Sequence, residues 1–202
     1  NVTAEYVDRI SKGDLPPKIT DAYKGDFNEI KNNLNQLIDA INELNKDLGI
    51  MIQAQKAGNI EARCLGKGLH GVYAGLADGI NESLNSIIHP VVESIGIMEM
   101  YAKGDLSQEM RALPGKQIVL TNGINAIRSN ILALIADTDI LAKAAIEGKL
   151  ATRADATRHQ GDYRKIVQGI NDTLDAVIGP LNVAAEYVDR ISKGDIPPKI
   201  TD

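Results

Sequence analysis

Apolar residues in this chain recur with the spacing of long amphipathic helices. They alternate steps of four and three residues from Tyr163 to Ile191, and the same steps run from Ile30 to Met51. A heptad pattern sustained over several heptads is typical of helices that pack along one another in coiled-coil-like bundles. Further apolar residues flank the pattern, such as Ile178. The apolar stripe is therefore wide enough for four-helix packing.

Glycines divide the chain into segments of fixed and of variable length. Four intervals between glycines are each 33 residues long, and they cover 25–58, 71–104, 115–148 and 161–194. The intervals between them measure only 11 to 13 residues. A helix must keep its length to hold its neighbours in register, whereas a surface loop tolerates insertions. We therefore expect the fixed intervals to be helices about 45 Å long and the variable intervals to be connectors.

The chain is an array of repeats with a period of roughly 45 residues. Its first and last 21 residues differ only where Thr3 is replaced by Ala184 and Leu15 by Ile196. We predict four repeats followed by the first helix and connector of a truncated fifth repeat. Their predicted ranges are 1–45, 46–90, 91–136, 137–180 and 181–202.

The ends of the helices carry their own signals. Each helix is predicted to end at a glycine followed by a polar residue, because a left-handed glycine caps the last carbonyls. The glycines in this position are Gly13, Gly58, Gly104, Gly148 and Gly194. Asp26 and Asp162 are expected to cap the helices that follow. Pro90 and Pro180 are interpreted as junctions between successive bundles, as kinks or as first-turn residues.

Each connector carries two apolar residues four positions apart, the first of them two residues after the helix-end glycine. These pairs are Leu15 and Ile19, Ile60 and Cys64, Leu106 and Met110, Leu150 and Ala154, and Ile196 and Ile200. We expect these anchors to hold the connector in a hydrophobic groove. An extended run of about a dozen residues can travel some 35 Å. The next helix can therefore run parallel to the previous one.

Composition narrows the possible functions. Hydrophobic residues make up 44% of the 202 residues but aromatic residues only 3%, so aliphatic side chains do the packing. The net charge of −5 argues against a nucleic-acid-binding surface. The single cysteine, Cys64, excludes an intrachain disulfide and fits a reducing, cytoplasmic compartment. No uninterrupted apolar run approaches the roughly 18–20 residues of a membrane span, so we expect any membrane anchor to lie outside this segment.

Candidate catalytic and metal-binding residues are sparse. No nucleophile, base and orienting group occur together in a recognisable pattern, so we expect no enzyme activity. His70, His89 and His159 lack the i, i+3 or i+4 spacing of metal ligands. We expect structural or surface roles for them, and no metal or cofactor. Cys64 occupies an anchor position, where a small buried side chain fits better than a reactive thiol.

The order of helix, glycine-ended turn, doubly anchored connector and second helix resembles the HAMP domain. This family forms the signalling linker of methyl-accepting chemotaxis receptors, sensor histidine kinases and adenylate cyclases. The residues that carry the resemblance are Gly13-Asp14-Leu15, Ile19, and Asp26-Phe27-Asn28-Glu29-Ile30 leading to Leu34. The match extends over the whole chain as tandem copies.

The resemblance implies an all-α fold of stacked parallel four-helix bundles, formed by a homodimer, with long helices continuous between repeats. It implies a non-enzymatic relay that transmits conformational change between sensor and output domains of one chemotaxis-type receptor chain. Two alternatives remain open: the HAMP array of a sensor histidine kinase, and a structural scaffold such as a rod or a HEAT-like solenoid. Solenoid repeats, however, join their helices by short turns and need no heptad continuity.

Overall fold

The computed structural model describes residues 2–199, which form five α-helices and the segments that join them. The helices are α1 Val2–Ser11, α2 Asp26–Lys56, α3 Val72–Ala102, α4 Ile118–Ile146 and α5 Gly161–Ser192. We name the four segments between them connectors 1 to 4, and they cover 12–25, 57–71, 103–117 and 147–160. No strand occurs within 2–199. The predicted all-α class is confirmed.

The four long helices contain 31, 31, 29 and 32 residues. These lengths follow from the heptad pattern, because steps of three and four residues place the apolar side chains on one face of a helix. In α2 that face buries Leu34, Ile38 and Met51. Burial of this stripe, rather than helix propensity alone, stabilises helices of this length.

Each long helix ends in the same hydrogen-bonded turn. At Gly104, whose φ is 85°, the glycine N–H donates to Tyr101 O at 2.9 Å and the Asp105 N–H donates to Met100 O at 2.9 Å. This pair of bonds satisfies carbonyls that the last helical turn leaves free. A left-handed glycine with the same two bonds also ends α1, α2, α4 and α5, at Gly13, Gly58, Gly148 and Gly194.

Two details of the helices differ from the sequence-based expectation. Asp26 and Asp162 lie in the first turns of α2 and α5 and do not cap them, because Gly25 and Gln160 occupy the N-cap positions. An aspartate in the first turn still interacts favourably with the helix dipole. Pro90 and Pro180 lie in the interior of α3 and α5, so the interpretation as first-turn residues is wrong. The apolar pattern continues on both sides of each proline, which favours one helix despite the missing N–H donor.

The chain divides into two compact units between Glu93 and Ser94. In each unit a cluster of buried residues joins two helices to the connector between them. The cluster of the first unit, around connector 2, consists of Met51, Cys64, Leu69 and Ala77. The cluster of the second unit, around connector 3, consists of Ile97, Tyr101, Leu106, Met110, Leu113 and Ile124. The connectors are therefore part of the core of each unit.

The segment Gly115–Ile146 is long and apolar enough to cross a membrane, by length and composition alone. Helices of apolar bundles meet the same criterion. Asn125 and Asp137 of this segment bond to connectors 3 and 4, as described below. We therefore assign α4 as a bundle helix.

We expect Gly104→Ala to lower the free energy of unfolding by about 1–2 kcal/mol, because a Cβ disfavours the left-handed conformation. No atom lies within 4 Å of the added Cβ, so the cost is one of backbone conformation. The matched control is Gly123→Ala in the interior of α4, where an added Cβ is equally free. There alanine should stabilise by about 0.5–1 kcal/mol. Urea unfolding measures both, and a similar effect of the two substitutions would contradict the assigned helix end.

Candidate functional site: the clamped connectors

An asparagine on the second helix of each repeat binds the backbone of the connector. The Met110 N–H donates to Asn125 Oδ1 at 2.9 Å, and Asn125 Nδ2 donates to Met110 O at 2.9 Å. The same reciprocal pair of bonds, at 2.8 to 3.1 Å, joins Asn35 to Ile19, Asn81 to Cys64 and Asn171 to Ala154. We call this contact the asparagine clamp. It always grips the second apolar anchor of a connector.

The chemistry of the clamp explains why asparagine occupies this position. A primary amide offers one carbonyl acceptor and an NH₂ donor side by side, so it can bond both the N–H and the C=O of one residue. The connector lies outside any helix or sheet, and burying its peptide groups without partners would cost about 1–3 kcal/mol each. The clamp therefore lets an apolar anchor be buried together with its backbone.

The clamp was visible in the sequence but was not recognised. Each clamp asparagine lies ten residues after the glycine at or just before the start of its helix, and three of the four stand in a Gly-Ile-Asn triplet. These triplets are 79–81, 123–125 and 169–171. The partner of each asparagine lies 15 to 17 residues away along the chain. A recurring polar residue beside an apolar stripe was the available signal.

The predicted anchors differ in burial within this single chain. The second anchors Ile19, Cys64 and Met110 are 7%, 4% and 2% exposed, and Ala154 is half-buried. Among the first anchors, Leu106 is buried, whereas Leu15 is half-buried. The exposed first anchors are Ile60, Leu150 and Ile196, at 42%, 41% and 85% exposure. Ile200 lies outside the described residues. The second position is thus fixed by the clamp, while the first depends on its surroundings.

A further buried position was not predicted. Leu69 and Leu113 lie near the ends of connectors 2 and 3, and they are 6% and 3% exposed. Leu113 is held by Thr121, whose hydroxyl donates to Arg111 O at 2.8 Å and lies 3.2 Å from the Leu113 N–H. The distance from second anchor to following glycine varies from five to seven residues. Because of this variation, a pattern with one fixed spacing from the second anchor does not predict the buried leucine.

A side-chain pair beside each clamp links the connector to the second helix. In three repeats the residue just before the second anchor pairs with the residue four positions after the clamp asparagine. These pairs are Lys18 with Asp39, Arg63 with Asn85, and Arg153 with Asp175, at 2.6 to 2.9 Å. In repeat 3 the charges are reversed and the helix partner lies three positions after the asparagine, with Glu109 bonded to Arg128 at 2.6 Å. Such pairs at the edge of the core contribute little stability each, so they orient the connector more than they hold it.

The first helix of a repeat also contacts the connector, through a buried carboxylate. Asp47 of α2 is 7% exposed and accepts a hydrogen bond from the Gly66 N–H at 2.9 Å. Asp137 of α4 is 6% exposed and lies 2.6 Å from His159 Nε2. Each connector is therefore held from both sides in these repeats. His70 and His89 are exposed, and no three metal-ligating side chains converge anywhere in 2–199.

Local polar contacts shape the start and end of the connectors. The Tyr101 hydroxyl donates to Gln108 O at 2.7 Å, and burial raises the pKa of Tyr101. Hydrogen bonds from Ser107 hold the pKa of Asp105 below its ordinary value. Hydrogen bonds from the Thr157 hydroxyl and N–H do the same to the pKa of Asp155. These contacts favour the ionised carboxylates and thereby tighten the turns.

Comparison with known proteins identifies this arrangement. The HAMP domain family matches residues 1–43 and 158–202, and the family described as HAMP N-terminal domain 3 matches residues 93–132. The methyl-accepting chemotaxis protein McpB of Pseudomonas aeruginosa is 26% identical over 116 residues. That match covers 57% of this chain and 17% of McpB. The chain belongs to the HAMP family and carries HAMP domains in tandem, as its sequence predicted. HAMP domains are signalling modules.

Removing a clamp should destabilise its repeat. We expect Asn125→Ala to lower the free energy of unfolding by about 2–3 kcal/mol, because two hydrogen bonds are lost and two buried peptide groups lose their partner. Asn122→Ala, on the same helix at an exposed position, should change it by less than about 0.5 kcal/mol. Urea unfolding of both variants measures the difference. Equal effects of the two substitutions would show that water replaces the hydrogen bonds of the clamp without a loss of stability.

Proposed function

We propose that this array relays a conformational signal between sensor and output domains of a chemotaxis-type receptor. The observation that carries the proposal is that one helix grips two successive connectors. In α2 Asn35 holds connector 1 and Asp47 holds connector 2, and in α4 Asn125 holds connector 3 and Asp137 holds connector 4. The two residues are 12 positions apart in each helix, which is about 18 Å. A movement of the helix at one connector must therefore reach the next.

Bundles of this kind suit such a relay. Neighbouring packings of a helical bundle differ by only a few kcal/mol, and a continuous helix carries a rotation or a shift from one packing site to the next. Because the clamp bonds both peptide groups of the second anchor to the second helix, each connector moves with that helix. The same pair of bonds recurs in four repeats. The similarity to McpB favours a receptor of the chemotaxis type. A cytoplasmic position and flanking sensor and output domains on the same chain follow from that role.

We further propose that the array works as a parallel homodimer. The second half of α5 keeps heptad residues open to solvent, with Val177, Leu181, Val188 and Ile191 between 55% and 68% exposed. The chain has 14016 Å² of accessible surface, whereas a compact monomer of 21.7 kDa would have about 9,200 Å². A second copy supplies the two missing helices of each four-helix layer. It would also cover apolar surface at a gain of roughly 25 cal/mol per Å².

Light scattering at micromolar concentration should give twice the 21.7 kDa mass of one chain. Leu181→Lys should weaken the dimer, because it places a charge on the apolar stripe of α5. Asn182→Lys adds the same charge at the neighbouring exposed position and should leave the mass unchanged. A monomer of the wild-type protein, or equal effects of the two substitutions, would contradict this mode of assembly.

An insertion tests the relay itself in a chimera with a measurable output domain. One alanine placed between Asn130 and Ile131, downstream of the clamp, rotates the rest of α4 by about 100°. It takes Asp137 and the following heptad positions out of register with connector 4. We expect the output to be lost or inverted.

The control inserts one residue between Pro114 and Gly115, both exposed. This lengthens the last part of connector 3 from five residues to the six found in connector 1. The output should stay responsive, since the clamp and the helix are unchanged. If the two insertions have the same effect, the array is a passive spacer and the scaffold alternative is the better one.

A further inference from the structure

A buried acid–base pair ties α4 to the beginning of α5. His159 Nε2 lies 2.6 Å from Asp137 Oδ2, and the two side chains are 3% and 8% exposed. His159 is the penultimate residue of connector 4 and lies two residues before Gly161 at the start of α5. The pair therefore joins the first helix of repeat 4 to the point where its second helix begins. The asparagine clamp makes no use of this pair, and the proposed relay uses it only as the contact through which α4 holds connector 4.

The equivalent position in repeat 2 shows that packing does not require a histidine there. Asp47 and Leu69 stand ninety residues before Asp137 and His159. Asp47 bonds the Gly66 N–H instead, and Leu69 is buried in the apolar cluster around connector 2. An apolar side chain thus fills the same place in the repeat. The histidine adds a titratable contact to a frame that folds without one.

The charges around the pair favour an additional positive charge. On connector 4, the Asp155 carboxylate interacts electrostatically with both Arg158 and His159. Arg158 Nη1 lies 3.9 Å from Asp137 Oδ1, and the Arg158 side chain is 66% exposed, so solvent screens it. From α5 the neighbours of Asp137 are apolar, since that helix lines the adjacent cavity of about 110 Å³ with Ile166, Val167 and Ile170. Asp155 is exposed as well, so solvent screens it and Arg158 alike, and the buried Asp137 carboxylate is the main charge that faces the imidazole.

We propose that Asp137 and His159 form a protonation-dependent latch between α4 and the start of α5. Histidine is the side chain whose charge ordinarily changes between pH 5 and 8. With a neutral imidazole, Nε2–H donates to the carboxylate through a bond that is charged on one side only. With an imidazolium the same bond is charged on both sides and becomes stronger. The latch is therefore tighter with a protonated imidazole than with a neutral one.

The latch lets repeat 4 respond to protonation, which repeat 2 cannot do because it has leucine in place of the histidine. The effect of the latch on signalling rests on the proposed relay, because a stronger contact between α4 and α5 changes the signal only if these helices move. The latch itself does not depend on that function. It can be tested on the full chain without an output domain.

A double-mutant cycle at two pH values tests the latch. Wild type, His159→Leu, Asp137→Asn and the double variant are unfolded in urea at pH 6 and at pH 8. His159→Leu should fold, because leucine occupies the equivalent position in repeat 2. We expect the coupling between the two residues to be larger at pH 6 than at pH 8. A cycle that pairs the exposed His89→Leu with Asp137→Asn should give no pH dependence.

Equal coupling at both pH values would overturn the proposal, because the contact would then be a plain structural hydrogen bond. Coupling that is larger at pH 8 would overturn it as well. If Asp137→Asn does not fold, hydrogen exchange of wild type and His159→Leu replaces the cycle. Protection of amides 156–161, corrected for intrinsic exchange, should rise from pH 8 to pH 6 in the wild type alone. A rise in both proteins, or in neither, contradicts the latch.

Discussion

The packing of this chain depends on satisfying the backbone of segments that belong to no helix. A connector that runs beside two helices cannot pair its peptide groups with a sheet, and burying them unpaired would cost more than its apolar anchors gain. One asparagine resolves the conflict by bonding both polar groups of the second anchor. Met110 illustrates this, with a side chain 2% exposed and both peptide groups held by Asn125. The recurrence of the clamp in four repeats makes it the fixed point of each.

This fixed point explains which parts of a repeat vary in length. The helix-end glycine lies six residues before the second anchor in every connector, and the clamp asparagine lies ten residues after the next glycine. Both spans have a fixed length, because the glycine turn constrains the first and the helix constrains the second. Only the stretch between second anchor and next glycine varies, from five to seven residues. Insertions are tolerated where no repeated contact depends on the count.

The heptad pattern and the glycines predicted all five helices and their C-terminal ends, because both signals are local. The long-range contacts were less accessible. Asn125 carries no mark of its partner Met110, which lies 15 residues earlier. Leu106 and Ile60 have the same local setting, yet one is buried and the other 42% exposed, since Leu106 packs into the apolar cluster around connector 3. Asp26 resembled a helix cap, but Gly25 in the left-handed conformation begins the turn one residue earlier.

The repeats agree in their contacts to backbone and differ in their contacts between side chains. Every clamp bonds peptide groups, which are present whatever the connector sequence, so this contact survives divergence. The side-chain pairs beside the clamps differ in charge between repeats. Arg153 pairs with the carboxylate of Asp175 and Arg63 with the neutral Asn85, and repeat 3 reverses the charges. These pairs contribute little energy individually. Divergence can therefore adjust the stability of one repeat without disturbing the register of the next. In the proposed relay, the repeats can therefore differ in stability while they keep the same register. Under that condition a signal can change the conformation of one repeat without changing the whole array.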